Sequence, residues 1–205
     1  MTHCFVIVRH GNTFAPGEPP RRIGARTDLP LVETGRDQAN ALGRLFADRG
    51  WRFNRILCSP LRRTRETAAI IRARLGIVAA ERTSALLAEI DHGVDEDRTE
   101  DAVIARIGAA ALLAWDQHGI APPGWQVDRA ARLAGWRALF AETQAEPGTT
   151  LLITSNGAAR FAMLADPALT ARGQTLSALR LRTGAFGVIQ SGPAGLDLVT
   201  WDERP

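Results

Sequence analysis

Three apolar, β-branched runs each lead straight into side chains that can do chemistry. Cys4–Val8 (CFVIV) runs into Arg9-His10-Gly11-Asn12-Thr13. Arg55–Cys58 (RILC) runs into Ser59-Pro60-Leu61-Arg62-Arg63-Thr64. Thr150–Thr154 (TLLIT) runs into Ser155-Asn156-Gly157. Buried strands of an open α/β sheet deliver their ligand-binding residues at the carboxyl ends. One His, several Arg and a helix N-terminus can therefore converge on one point. That set suits a phosphate group, whose oxygens are matched by guanidinium forks and backbone N–H groups. A His held there attacks a phosphoryl group through one ring nitrogen while Arg neutralises the equatorial oxygens. Its other ring nitrogen needs an acceptor to fix the tautomer.

Composition narrows the choices further. The chain has 205 residues, of which 25 are Lys or Arg against 22 Asp or Glu, and every one of those 25 cations is Arg. Without Lys there is no Schiff-base chemistry and no P-loop Lys, so a bound anion must be held by Arg, His, backbone N–H groups or helix ends. The net charge of +3 is small and acidic residues lie among the arginines throughout. No basic run with interleaved aromatics stands out, so a nucleic-acid partner is not expected. At 45% hydrophobic and 23% charged, the chain can bury a full core. No apolar run is long enough to span a bilayer, and the N-terminus reaches Arg9 too soon for a signal peptide. A cytoplasmic protein is expected, with Cys4 and Cys58 as small buried hydrophobes and no disulfide scaffold.

The elements that must position these residues alternate between strand and helix. After the first strand and a loop rich in Gly, Pro and Arg (Gly11 to Pro30), Thr34 is placed to cap a helix. That helix carries Ala39, Leu42, Leu45 and Phe46 on one face and ends near Gly50. Ser59-Pro60 reads as the N-cap and first position of a second helix, with Leu61, Ala68, Ile71 and Leu75, stopping at Gly76. A third strand is expected at Ile77–Ala80, an acidic loop at Glu89–Asp101 and an Ala-rich helix from about Asp101 to Trp115. Pro122-Pro123-Gly124 breaks the chain. A helix follows at Asp128–Thr143, with Leu133, Trp136, Leu139 and Phe140 as its apolar side. After the TLLIT strand a helix begins near Ala158, and late strands are expected at Leu179–Arg182, Phe186–Gln190 and Leu196–Trp201. The pattern predicts an α/β fold, a three-layer α/β/α sandwich with a mainly parallel central sheet. Ser155 lacks a nucleophile-elbow pattern, and the five Trp residues read as packing.

Arg9-His10-Gly11-Asn12-Thr13 resembles the signature of the histidine phosphatase superfamily, which includes the cofactor-dependent phosphoglycerate mutases. Further blocks agree in order. Gly24, Asp28, Pro30, Leu31, Glu33, Gly35, Gln38 and Ala39 resemble the next segment of that family. Ser59-Pro60-Leu61, Arg63-Thr64 and Thr67-Ala68 resemble its second Arg motif, and Leu87-Ala88-Glu89-Ile90-Asp91 with Gly93 its acidic motif. The resemblance implies a phosphoglycerate mutase-like fold, one domain over 1–205 with a lid over about 89–125, and no cofactor or metal. It implies that His10 is the nucleophile, that Arg9 and Arg63 bind the phosphoryl oxygens and that Glu89 is the general acid, then the base. In general, an acid working near neutral pH needs a raised pKa, and partial burial is one way to obtain it. Asn12, Thr13, Asn156 and Gly157 would line the substrate. Apart from the resemblance, the loop Phe14 to Arg26 adds Arg21, Arg22 and Arg26, which either meet a second acidic group on the substrate or belong to a solvated, Pro-ordered loop.

One residue departs from the pattern. The family carries a second His where this chain has Asn156. Losing that cation implies a rate lower by roughly 100- to 1000-fold. His92, three residues after Glu89, is either a solvent-facing loop His or a replacement cation. The expected activity is metal-independent hydrolysis of a small phosphorylated substrate through phospho-His10, by a monomer or homodimer. The alternatives are a phosphoglycerate-type mutase and a low-activity pseudo-phosphatase that binds phosphorylated ligands or inorganic phosphate.

Overall fold

The computed structural model describes residues 2–78, 81–142 and 147–205. Its centre is a six-stranded sheet: β1 (His3–Arg9), β2 (Arg55–Cys58), β3 (Arg82–Thr83), β4 (Gly148–Thr154), β5 (Phe186–Gly192) and β6 (Gly195–Glu203). The spatial order is β3-β2-β4-β1-β5-β6. The first four are parallel, β5 runs antiparallel to β1, and β6 antiparallel to β5. The helices are α1 (Glu33–Asp48), α2 (Arg62–Leu75), α3 (Glu100–Ile107), α4 (Ala109–His118), α5 (Arg129–Glu142), α6 (Asn156–Leu164) and α7 (Pro167–Gly173).

The period-two alternation of β1 splits the core in two. Val6 and Val8 pack with Leu42 and Phe46 of α1 and Ala68 and Ile71 of α2. Phe5 and Ile7 face the other way, into a cluster with Trp136 and Phe140 of α5, Phe161 of α6 and Trp115 of α4. Helices thus cover both faces, giving the expected three-layer sandwich. Trp115, Trp136, Phe46 and Phe161 are almost fully buried, each worth roughly 1.5–3 kcal/mol of transfer free energy. Among the described residues no helix is long and apolar enough to cross a membrane.

Register places the chemistry. Arg9 pairs with Thr154 across β1 and β4, and Cys58 with Ile153 across β2 and β4, so three strands end level. The next amides extend the ladder: His10 N–H donates to Thr154 O at 3.1 Å and Ser59 N–H to Ile153 O at 3.0 Å. The loop leaving β1 lies backbone against backbone on α1. A Cβ on Gly11 would sit 2.2 Å from the Gly35 carbonyl oxygen, which is why small residues stand at both places.

Several local expectations are corrected. The helix after the first loop starts at Glu33 with Val32 as N-cap, and Thr34 Oγ1 instead accepts from Asn12 Nδ2. The next helix starts at Arg62, while Ser59 Oγ accepts from Leu61 N–H in the turn before it. Gly108, at φ 80°, splits the Ala-rich segment into α3 and α4. Of the strand expected at Ile77–Ala80, residues 79–80 lie outside the described residues, and the edge strand pairs at Arg82–Thr83. Thr143, the expected end of α5, also lies outside them. Asn156 already belongs to α6, two residues before the expected start. Helix α7 has a readable signal, Asp166-Pro167: the Asp caps two N–H groups and Pro fills the first turn.

Leu179–Arg182 is irregular rather than a strand. Buried Leu179 and Leu181 alternate with exposed Arg180 and Arg182, which mimics a strand. Side chains meet its backbone groups instead: Trp201 Nε1 donates to Leu179 O, Arg9 Nη1 to Leu181 O, and Asp202 Oδ1 accepts from Arg182 N–H.

Candidate active site

His10 follows the end of β1 and is 3% exposed. Its Nδ1 lies 2.8 Å from Gly11 O. A carbonyl can only accept, so Nδ1 carries the proton and Nε2 the lone pair. Arg63 Nε donates to that Nε2 at 3.2 Å. Burial, then the charges of Arg63 and Arg9, push the His10 imidazolium well below its ordinary range. The ring is therefore neutral near pH 7, with its lone pair aimed at a guanidinium.

Arg63 lies in the first turn of α2 and is fully buried. Its Nη1 donates to Thr27 O at 2.7 Å and its Nη2 to Gly24 O at 3.1 Å. The loop carrying those carbonyls is held by Glu96, which accepts from Gly24 N–H, Arg26 N–H, Thr27 Oγ1 and His92 N–H. Burial pulls the Glu96 carboxyl up, but contacts from His92, Thr27 and Gly24 outweigh it and hold it at about 2. Sequence reasoning missed Glu96, because an acid five residues from a resolved motif looks like one more member of an acidic run.

Arg9, the last residue of β1, donates from Nη1 to Leu181 O at 2.7 Å. Its buried Nε has no hydrogen-bond partner among the described residues, and neither does Ser155 Oγ, at the end of β4. Burial lowers Arg9 to about 10; Glu89 opposes this, while Arg180, Arg63 and Arg160 add to it. Burial likewise lowers Arg63 and takes Arg160 to about 10. Crowded, desolvated guanidiniums of this kind favour an added anion.

Glu89 is 7% exposed and lies against the start of α6. Its Oε2 accepts from Gly157 N–H at 3.1 Å and its Oε1 from Ile90 N–H at 2.9 Å. Arg132 of α5 steadies the preceding turn, donating to Leu86 O at 2.8 Å and Ala88 O at 2.7 Å, and Thr154 Oγ1 donates to Leu87 O at 2.7 Å. Asn156, first residue of α6, accepts from Leu181 N–H through Oδ1 at 3.0 Å. Its Nδ2 is the half left to donate.

Other expected residues are committed within the chain. Gly157 gives its N–H to Glu89. Asn12 donates through Nδ2 to Thr34 Oγ1 at 3.4 Å and accepts through Oδ1 from Thr183 Oγ1. Thr13 is buried. Arg21 pairs with Asp97 and Glu18, and Arg22 makes a two-point contact with Glu100. These pairs brace the first loop against the acidic segment. His92 is 6% exposed, so it is not solvent-facing. It packs edge-on to Trp125 at 4.6 Å, with Nδ1 3.6 Å from Glu96 Oε2.

The sheet, the neutral His10 and the desolvated arginines at the strand ends define a class: an α/β protein with a buried histidine–arginine centre. Comparisons with known proteins agree. Residues 5–204 match the model of the histidine phosphatase superfamily, branch 1, and the chain belongs to that superfamily. A segment of 97 residues is 35% identical to an acid phosphatase of Mycobacterium tuberculosis, covering 47% of this chain and 44% of that protein. The chain thus spans less than half the length of that curated relative. A mycobacterial glucosyl-3-phosphoglycerate phosphatase, solved with VO3, superposes with a TM-score of 0.76 at 26% identity, over 97% of this chain and 98% of that one. The alpha-ribazole phosphatase of Shigella flexneri shares the fold, with a TM-score of 0.71 at 22% identity over 98% and 96% of the two chains.

Proposed function

We propose that the protein is a phosphomonoesterase that hydrolyses a small phosphorylated substrate through a phosphohistidine on His10. The observation that carries this reading is the His10 tautomer, with Nδ1–H on Gly11 O and the Nε2 lone pair facing Arg63. As the phosphoryl group enters, Arg63 Nε–H passes from Nε2 to a phosphoryl oxygen, and Arg9 Nε gains the acceptor it lacks. Asn156 Nδ2 donates to a further oxygen. Nε2 forms a bond to phosphorus as the ester P–O bond breaks, and Glu89 gives its proton to the leaving oxygen, releasing an alcohol. In the second half Glu89 takes a proton from water, whose oxygen attacks phosphorus. The P–N bond breaks, phosphate leaves and His10 is regenerated neutral. Arg9 and Arg63 supply the charge stabilisation of both transition states.

The test is hydrolysis of an aryl phosphate with His10→Ala as control, combined with rapid-quench trapping of acid-labile phosphate on the protein. Turnover no higher than the His10→Ala control ends the reading. Turnover without a trapped phosphohistidine in a burst experiment removes the covalent step.

A further inference from the structure

Residue 181 ties Asn156 to Arg9. Its N–H donates to Asn156 Oδ1 at 3.0 Å, and its carbonyl accepts Arg9 Nη1 at 2.7 Å. Because a backbone N–H only donates, the facing atom of Asn156 is the oxygen. The Leu181 side chain is fully buried, so the residue cannot swing freely. That carbonyl is a firm anchor for an arginine whose Nε has no partner among the described residues.

We propose that Asn156 is a positioning residue for Arg9, acting through Leu181, in addition to the donor role of its Nδ2. The proposal rests on the reading of Arg9 as a phosphoryl ligand. An amide oxygen accepts at every pH. A neutral imidazole can also accept from Leu181 N–H, but an imidazolium has no lone pair and cannot. A cationic side chain at 156 would therefore remove the acceptor that orients the Leu181 peptide group, and with it the carbonyl that aims Arg9. Asn is thus part of how this chain holds its arginine, and exchanging it for His does more than add a charge.

The test uses the intact protein and inorganic phosphate, with binding read by calorimetry in a double-mutant cycle. Arg9→Ala is expected to weaken phosphate at least ~10-fold, as loss of a charge-assisted pair requires; no weakening would sink the phosphate-site reading itself. Asn156→Ala is expected to cost about 10-fold in the parent and under about 3-fold in the Arg9→Ala background. Additive losses overturn the positioning role and leave the phosphate site intact. Asn156→His then separates positioning from direct contact. Its phosphate affinity relative to the parent should fall as pH drops from about 8 to about 5.5, through the ordinary His range. A relative rise, as an added cation would give, overturns the proposal. Hydrogen exchange at the Leu181 amide gives a ligand-free readout: slow in the parent and faster in Asn156→Ala. Fast exchange in the parent, which needs no variant to fold, refutes it.

Discussion

Replacing Gly157 with Ala inserts a methyl group where the Glu89 carboxylate lies. The new Cβ would fall 2.2 Å from Glu89 Oε1, whereas ordinary contact begins at 3.4 Å. The carboxylate must retreat by about 1 Å, and a catalytic group misplaced that far costs on the order of 100-fold in rate. Stability changes little. The helix gains up to about 1 kcal/mol from Ala over Gly. Losing the Gly157 N–H bond to Glu89 Oε2 costs about 1–3 kcal/mol. The melting temperature should move by less than about 12 °C. The assay compares an alkyl phosphomonoester, whose leaving group needs a proton, with p-nitrophenyl phosphate, whose leaving group departs as a stable anion. Alkyl turnover should fall ~100-fold and aryl turnover by less than ~10-fold, because only the first depends on Glu89 as acid. Alkyl turnover retained within about 3-fold would falsify the placement of the acid. Glu89→Gln lowering both esters equally would refute its role as proton donor.

Three further outcomes follow from the contacts around Arg63, Glu96 and His10. Arg63→Lys keeps the charge but cannot satisfy Thr27 O, Gly24 O and the His10 side at once; phosphate affinity by calorimetry should drop roughly 10- to 100-fold, and parent-like affinity would show that the planar fork is not needed. The Glu96 carboxyl is held at about 2 in the folded chain against an ordinary value of 4.5, so its stabilisation is present above pH 4.5 and lost as pH falls toward 2. Glu96→Gln should therefore flatten the acid limb of the melting curve between those values and weaken phosphate through the loop that holds Arg63. An acid limb identical to the parent's would remove Glu96 from that role. His10 adds a separate slope: its folded value lies below 6.5, so the unfolded chain binds the proton first and stability falls on acidification through that range.

The sequence by itself determined the strands of the sheet centre and the residues at their ends. Runs such as CFVIV and TLLIT, short and rich in β-branched residues, read as strands of a covered sheet, and the Arg, His and Ser-Asn-Gly after them are adjacent in sequence. It also determined that every cationic side chain besides His is a guanidinium, since the chain has no Lys. Weaker signals misled: the alternation of Leu179 to Arg182 looks like a strand because burial sets that pattern whether a neighbouring strand or side chains satisfy the backbone.

Only the tertiary structure decided who holds whom. Arg21, Arg22 and Arg26 are drawn to Asp97, Glu100 and Asp91, more than sixty residues away. That pairing ties the first loop to the acidic segment. Glu96 reaches Arg63 through the carbonyls of Gly24 and Thr27, and Asn156 reaches Arg9 through Leu181. Such links run through backbone groups, which every residue carries alike, so no residue type announces them. They exist only once folding brings distant segments within hydrogen-bond distance. The arginine-only cation set names the donors, and only the folded chain states which group each guanidinium meets.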